Sequence, residues 1–89
     1  MRKSAITIIN QKGLHARAAA KVARVAGGGS SDVYVSVGAR KANAKSILEL
    51  LSLGVALNDT VSLEVKGPDE DHVYERMADL FAARFDEAV

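Results

Sequence analysis

Thr60-Val61-Ser62-Leu63-Glu64-Val65-Lys66 alternates polar and apolar residues without a break. Successive side chains of an extended strand point to opposite faces, so Val61, Leu63 and Val65 share one face and Ser62, Glu64 and Lys66 the other. A strand apolar on one side only belongs to an antiparallel sheet with one covered face and one wet face. Val33, Val35 and Val37 alternate with Tyr34 and Ser36 in the same way. Ile6 and Ile8 flank Thr7 and predict a first strand over about residues 3 to 9. Gly38-Ala39 reads as a hairpin turn into a short strand over Arg40 to Asn43.

Between the strands the period lengthens to that of a helix. Ala19, Ala23 and Ala26 fall at i, i+4 and i+7 with Val22 beside them, small residues that allow close packing on a sheet. Arg17, Lys21 and Arg24 repeat the spacing on the opposite face as a basic stripe. Gly27-Gly28-Gly29-Ser30-Ser31 ends this helix as a linker; no Lys-Ser/Thr pair follows the glycines in phosphate-loop order. Ser46-Ile47-Leu48-Glu49 has the pattern of a capping box, opening a short helix that stops at Gly54. That helix is apolar nearly all round, at Ile47, Leu48, Leu50, Leu51 and Leu53, so either some of these stay exposed as a patch for a partner protein or all of them are core. Gly67-Pro68 breaks the last strand, and Asp69 is the expected N-cap of a final helix with Val73, Met77, Leu80 and Phe81 as its apolar stripe. The order is β-α-β-β-α-β-α. It predicts an α+β, open-faced two-layer β-sandwich, a four-stranded antiparallel sheet covered on one face by three helices, with residues 1–89 as one domain.

Composition narrows the function. Hydrophobic residues make up 48% and charged residues 26% of the chain, the balance of a folded soluble domain rather than a disordered one. A net charge of +1, two Tyr, two Phe and no Trp give neither the charge nor the stacking surface of a nucleic-acid binder. The absence of cysteine removes disulfides and thiolate chemistry, and fits a cytoplasmic location. Two histidines far apart, His15 and His72, argue against a His-rich metal site, and His72 among acidic residues reads as a surface side chain. No apolar run approaches membrane-spanning length, so no membrane insertion is expected.

Chemistry concentrates at Gly13-Leu14-His15-Ala16-Arg17, where the first strand gives way to the alanine-rich helix. A helix start offers unpaired N–H groups and a partial positive charge, which favour an anion. An imidazole there can accept a phosphoryl group, and a guanidinium in the first turn can share the new charge. This pentapeptide, with Lys45-Ser46 and the order of the elements, resembles the HPr family of histidine-containing phosphocarrier proteins of bacterial phosphotransferase systems, over nearly the whole chain.

The resemblance implies a carrier rather than an enzyme, without cofactor or metal. His15 would take a phosphoryl group on Nδ1 from phosphorylated enzyme I and pass it to an enzyme IIA protein, with Arg17 steadying the phosphate. Lys21 and Arg24, with Ile47, Leu48 and Leu51, would form the docking face, and Ser46 matches the position modified by a serine kinase/phosphorylase in some members. A monomer is expected of a carrier that shows one face to successive partners. Many members have proline directly after the arginine, where this chain has Ala18, and the segment Leu80-Phe81-Ala82-Ala83-Arg84-Phe85-Asp86 resembles paralogues of the nitrogen-related, regulatory branch; the sugar and the nitrogen-related branch both remain as expectations. The competing expectation is a small-ligand or protein-binding regulatory module with His15 merely capping a helix; within the family, the alternative is a regulatory protein-binding module on the same fold that acts through its phosphorylation state without sugar transport.

Overall fold

A computed structural model describes all 89 residues. The elements are β1 (Arg2–Thr7), α1 (Ala16–Gly27), β2 (Asp32–Val37), β3 (Arg40–Asn43), α2 (Ile47–Ser52), β4 (Thr60–Lys66) and α3 (Glu70–Ala82), followed by a short turn at Arg84–Asp86. The four strands pair antiparallel in the order β1-β4-β2-β3. Their register sets Val65 beside Val33, Leu63 beside Val35, and Val61 beside Ile6, so the apolar faces of the strands coincide. The three helices cover that face, and 20 buried side chains form one continuous core between the layers. This is the α+β open-faced sandwich that the alternation predicts. The other face is polar: Lys41 lies 4.4 Å from the centre of the Tyr34 ring and 3.6 Å from the Glu64 carboxylate.

Small residues let α1 pack closely against α2 and α3 within the helical layer. Ala18, Ala19, Val22 and Ala26 are fully buried, whereas Ala23, expected in that face, is half-buried. The buried stripe is therefore turned by part of a helical step, and Ala18 belongs to the core. On α2 only Leu50 is buried, joined by Leu53 just beyond it. Ile47, Leu48 and Leu51 face solvent, at 41%, 80% and 37% exposure, so the apolar circumference of this helix splits into a core half and an outer half.

Three local expectations are corrected. The first strand ends at Thr7 rather than near residue 9; Ile8 still pairs with Asp59 and Asn58, but Ile9 is exposed. The capping box at Ser46 is half made: Ser46 Oγ accepts from Glu49 N at 3.3 Å, while the Glu49 carboxylate accepts from Asn43 N at 3.0 Å instead of reaching back to Ser46. Ser46 N already donates to Asn43 O, which leaves that amide no need of the carboxylate. Asp69 occupies the N-cap position of α3 without capping through its side chain. Its carboxylate accepts from Ser30 N at 2.9 Å and from Ser31 Oγ at 2.5 Å, pinning the glycine-rich linker instead.

Candidate functional site

The loop that presents His15 is fixed from below. Gly13 has φ +63, and a Cβ there would stand 2.5 Å from Val55 O and 2.7 Å from Ala56 Cα, so only glycine fits. Leu14, 4% exposed, donates its N–H to Val55 O at 3.1 Å. Asn10 is wholly buried and donates through Nδ2 to Gly13 O at 2.8 Å.

His15 then takes the N-cap position of α1 in extended conformation, its carbonyl accepting from Ala19 N at 2.8 Å. Its side chain makes no capping hydrogen bond. The amides of Ala16, Arg17 and Ala18 have no backbone acceptor, and no acidic residue stands in the first turn. The partial positive charge of this helix end is therefore uncompensated by α1 itself. His15 is not a helix cap in the sense the competing expectation required.

The imidazole is instead held from the far end of the chain. Nε2 of His15 is hydrogen-bonded to Glu87 Oε2, and Glu87 Oε1 accepts from Asn10 Nδ2 at 2.9 Å. Burial pushes the Glu87 carboxyl up, but the hydrogen bonds from His15 and Asn10, with the nearby charge of Lys12, outweigh it and hold the group below the ordinary carboxylate range. Beside this pair lies a cavity of about 300 Å³ lined by Lys12, Arg17, Lys21, Asp86, Glu87, Ala88 and Val89. His15 does not line the cavity but joins it through Glu87. Arg17 is exposed and makes no ion pair or side-chain hydrogen bond, so its guanidinium is free for an anion in that space.

The structure thus brings His15 and Arg17 together at one helix start. Arg24 is exposed on the same helix, but Lys21 is not a free cation: its Nζ donates to Phe85 O at 2.7 Å and lies 3.6 Å from the Asp86 carboxylate. The basic stripe is interrupted there. Ser46 is the N-cap of α2, and the outer residues Ile47, Leu48 and Leu51 stand on that helix, which packs against α1. Glu87, Asn10 and Lys12 are site residues the sequence reading missed. An apolar Phe85 two positions before a glutamate hints at a segment folding back, but nothing in the pattern says to where.

Residues 2–83 match the family model of the phosphotransferase-system HPr component phosphorylation site. The chain is 44% identical over 81 residues to phosphocarrier protein HPr of Cupriavidus necator, covering 91% of each chain. It is 41% identical over 83 residues to phosphocarrier protein NPr of Shewanella violacea, covering 93% of this chain and 91% of that one. Among solved structures, HPr from Thermoanaerobacter tengcongensis superposes with a TM-score of 0.95 at 38% identity, covering 100% of both chains.

Proposed function

The chain belongs to the HPr family of phosphotransferase-system phosphocarrier proteins, carriers rather than enzymes, and from that premise we propose that His15 receives a phosphoryl group from phosphorylated enzyme I and hands it to an enzyme IIA protein. The observation that carries this reading is a histidine at a helix start whose side chain does no capping, with three unpaired amides and a free Arg17 at the same end. In the forward step the Nδ1 lone pair attacks phosphorus. The donor's P–N bond breaks and its electron pair returns to the donor nitrogen. The phosphoryl oxygens then meet the helix amides and Arg17, which stabilise their charge without making it inert. Onward transfer reverses these roles, so the carrier ends unchanged.

Arg24 and the outer face of α2 (Ile47, Leu48, Leu51) form the proposed docking surface, with Lys21 contributing its stem beside them. Ser46 is the proposed site for a regulatory serine kinase/phosphorylase. The carrier acts as a single domain over residues 1–89, as a cytoplasmic monomer. Incubation with phosphoenolpyruvate and a bacterial enzyme I, read by mass spectrometry, tests the assignment. An acid-labile adduct lost in His15→Ala is expected; an unmodified protein beside a labelled control carrier would overturn it. A second output for the same carrier is regulation without sugar uptake. Which purified enzyme IIA protein drains the labelled carrier faster decides between them.

A further inference from the structure

We propose that Glu87 is a positioning residue for His15: it accepts the Nε2–H, so that the Nδ1 lone pair faces the phosphoryl donor, and it balances the positive charge the ring carries once Nδ1 is phosphorylated. The inference rests on the phosphocarrier reading above and deepens it.

The first observation is the contact itself. Nε2 of His15 meets Glu87 Oε2, with side-chain exposures of 24% and 11%, so the bond is largely shielded from water. Imidazole exists as two tautomers, and the proton sits on whichever nitrogen meets the stronger acceptor. An ionised carboxylate at Nε2 places it there and leaves Nδ1 as the nucleophilic nitrogen.

The second observation is that Glu87 is built in rather than loosely draped. Arg84, Phe85 and Asp86 all have left-handed φ, 55, 54 and 64. Three such non-glycine residues in a row are unfavourable and persist only where the surroundings impose them. Phe85 supplies the reason: it is 1% exposed and packs edge-on to Phe81 at 5.0 Å between ring centres. The backbone is then fastened on either side of Glu87, by Lys21 Nζ to Phe85 O at 2.7 Å and by Gln11 N to Val89 O at 2.6 Å.

The third observation is Asn10. Its Nδ2 faces two acceptors, Gly13 O and Glu87 Oε1, which leaves its buried Oδ1 without a partner. A buried orphan oxygen is unfavourable. Here it accompanies an arrangement in which one amide ties the His15 loop to the Glu87 carboxylate. The charged groups around the pair are Lys12 from the loop before His15, Arg17 and Lys21 from α1, and Asp86 beside Glu87. None of them bonds Glu87, so its carboxylate is committed to His15 and Asn10.

Bonds and charge balance without an added reactant. Attack by Nδ1 forms the N–P bond as the donor's N–P bond breaks, and the ring becomes a cation that keeps its Nε2–H on Glu87. On handover the electron pair of the N–P bond returns to Nδ1, and the neutral ring leaves with its proton where it began. Glu87 lowers the cost of the cationic stage in both directions.

The test uses the full chain with 15N-labelled histidine. The ring nitrogen shifts of the wild type should report the Nε2–H tautomer. Glu87→Ala should mix the tautomers, and slow phosphorylation by phosphoenolpyruvate and enzyme I about tenfold or more. Glu87→Gln keeps an acceptor but loses the charge; it should retain the tautomer and still slow transfer, and it keeps the question open to test if Glu87→Ala folds poorly. Glu87→Asp should restore part of the rate. An Nδ1–H tautomer in the wild type, or a transfer rate in Glu87→Ala and Glu87→Gln equal to or above that of the wild type, overturns the proposal. An unlabelled wild type overturns the phosphocarrier reading with it, whereas a labelled wild type indifferent to both variants overturns this inference alone.

Discussion

Gly13 and Val55 lock together at the level of the backbone: the space where a Gly13 side chain would begin is filled by Val55 O, 2.5 Å away, and the next amide, Leu14 N, donates to that same oxygen at 3.1 Å. His15 follows immediately, so the loop between α2 and β4 sets the height at which the imidazole leaves the surface. Gly13→Ala should lose about 1–3 kcal/mol of stability, through the left-handed φ and the collision together. It should also slow phosphorylation of His15. Chemical denaturation and a phosphotransfer assay check both. An alanine variant with wild-type stability would show that the loop yields and that Val55 does not hold it.

The split personality of α2 gives a paired prediction. Leu50 is wholly buried, and Leu50→Ala should cost about 2–5 kcal/mol in lost transfer energy and cavity formation. Leu48 is 80% exposed, and Leu48→Asp should change stability by no more than about 0.5 kcal/mol while weakening the complex with enzyme I or an enzyme IIA protein. Calorimetry of the free variants and titration against the partner separate the two effects. A large loss of stability in Leu48→Asp would remove the docking role.

Ser46 supports α2 with one hydrogen bond, from Glu49 N to its Oγ. Ser46→Ala should cost about 0.5–2 kcal/mol, the usual penalty for losing an N-cap acceptor. Glu49→Ala should act mainly elsewhere, loosening the end of β3 where its carboxylate accepts from Asn43 N. Hydrogen exchange at the Asn43 amide reports this directly: faster exchange in Glu49→Ala and near-wild-type exchange in Ser46→Ala are expected. The reverse pattern would mean that the full capping box forms in solution.

The sandwich was legible because its signal is periodic. Val61, Leu63 and Val65 face Val33 and Val35 across the pairing of β4 and β2, and alternation alone marks those faces. Half of the candidate site was legible for a similar local reason: His15 and Arg17 sit at a helix start that is visible in sequence. The other half was not. Glu87 reaches His15 from 72 positions away, through a left-handed turn at Arg84–Asp86 that contains no glycine or asparagine to announce it. Burial of Phe85 imposes that turn, and burial is a property of the whole fold. Asp69 failed as a predicted cap for a related reason. A local preference for capping lost to Ser30 and Ser31, which the fold delivers from far along the chain.

Asp69 also carries a pH signature. The hydrogen bond from Ser31 Oγ, and then that from Ser30 N, hold its carboxyl below the ordinary value of 3.8. Both donors bond the ionised form, so the unfolded chain takes up the proton more readily than the folded one. The contribution of Asp69 to stability is therefore complete above about pH 4 and is lost as the pH falls through the lower folded value. Glu87, also held below its ordinary 4.5, acts in the same direction. Unfolding free energy measured in urea should accordingly fall as the pH drops below about 4, and fall less steeply in Asp69→Asn, which is already uncharged. Because Ser31 is buried under this carboxylate, the variant should start from lower stability at pH 7 and converge on the wild type in acid. Parallel curves for the two proteins, with a constant gap down to the lowest pH, would mean that ionisation of Asp69 does not hold the linker to α3.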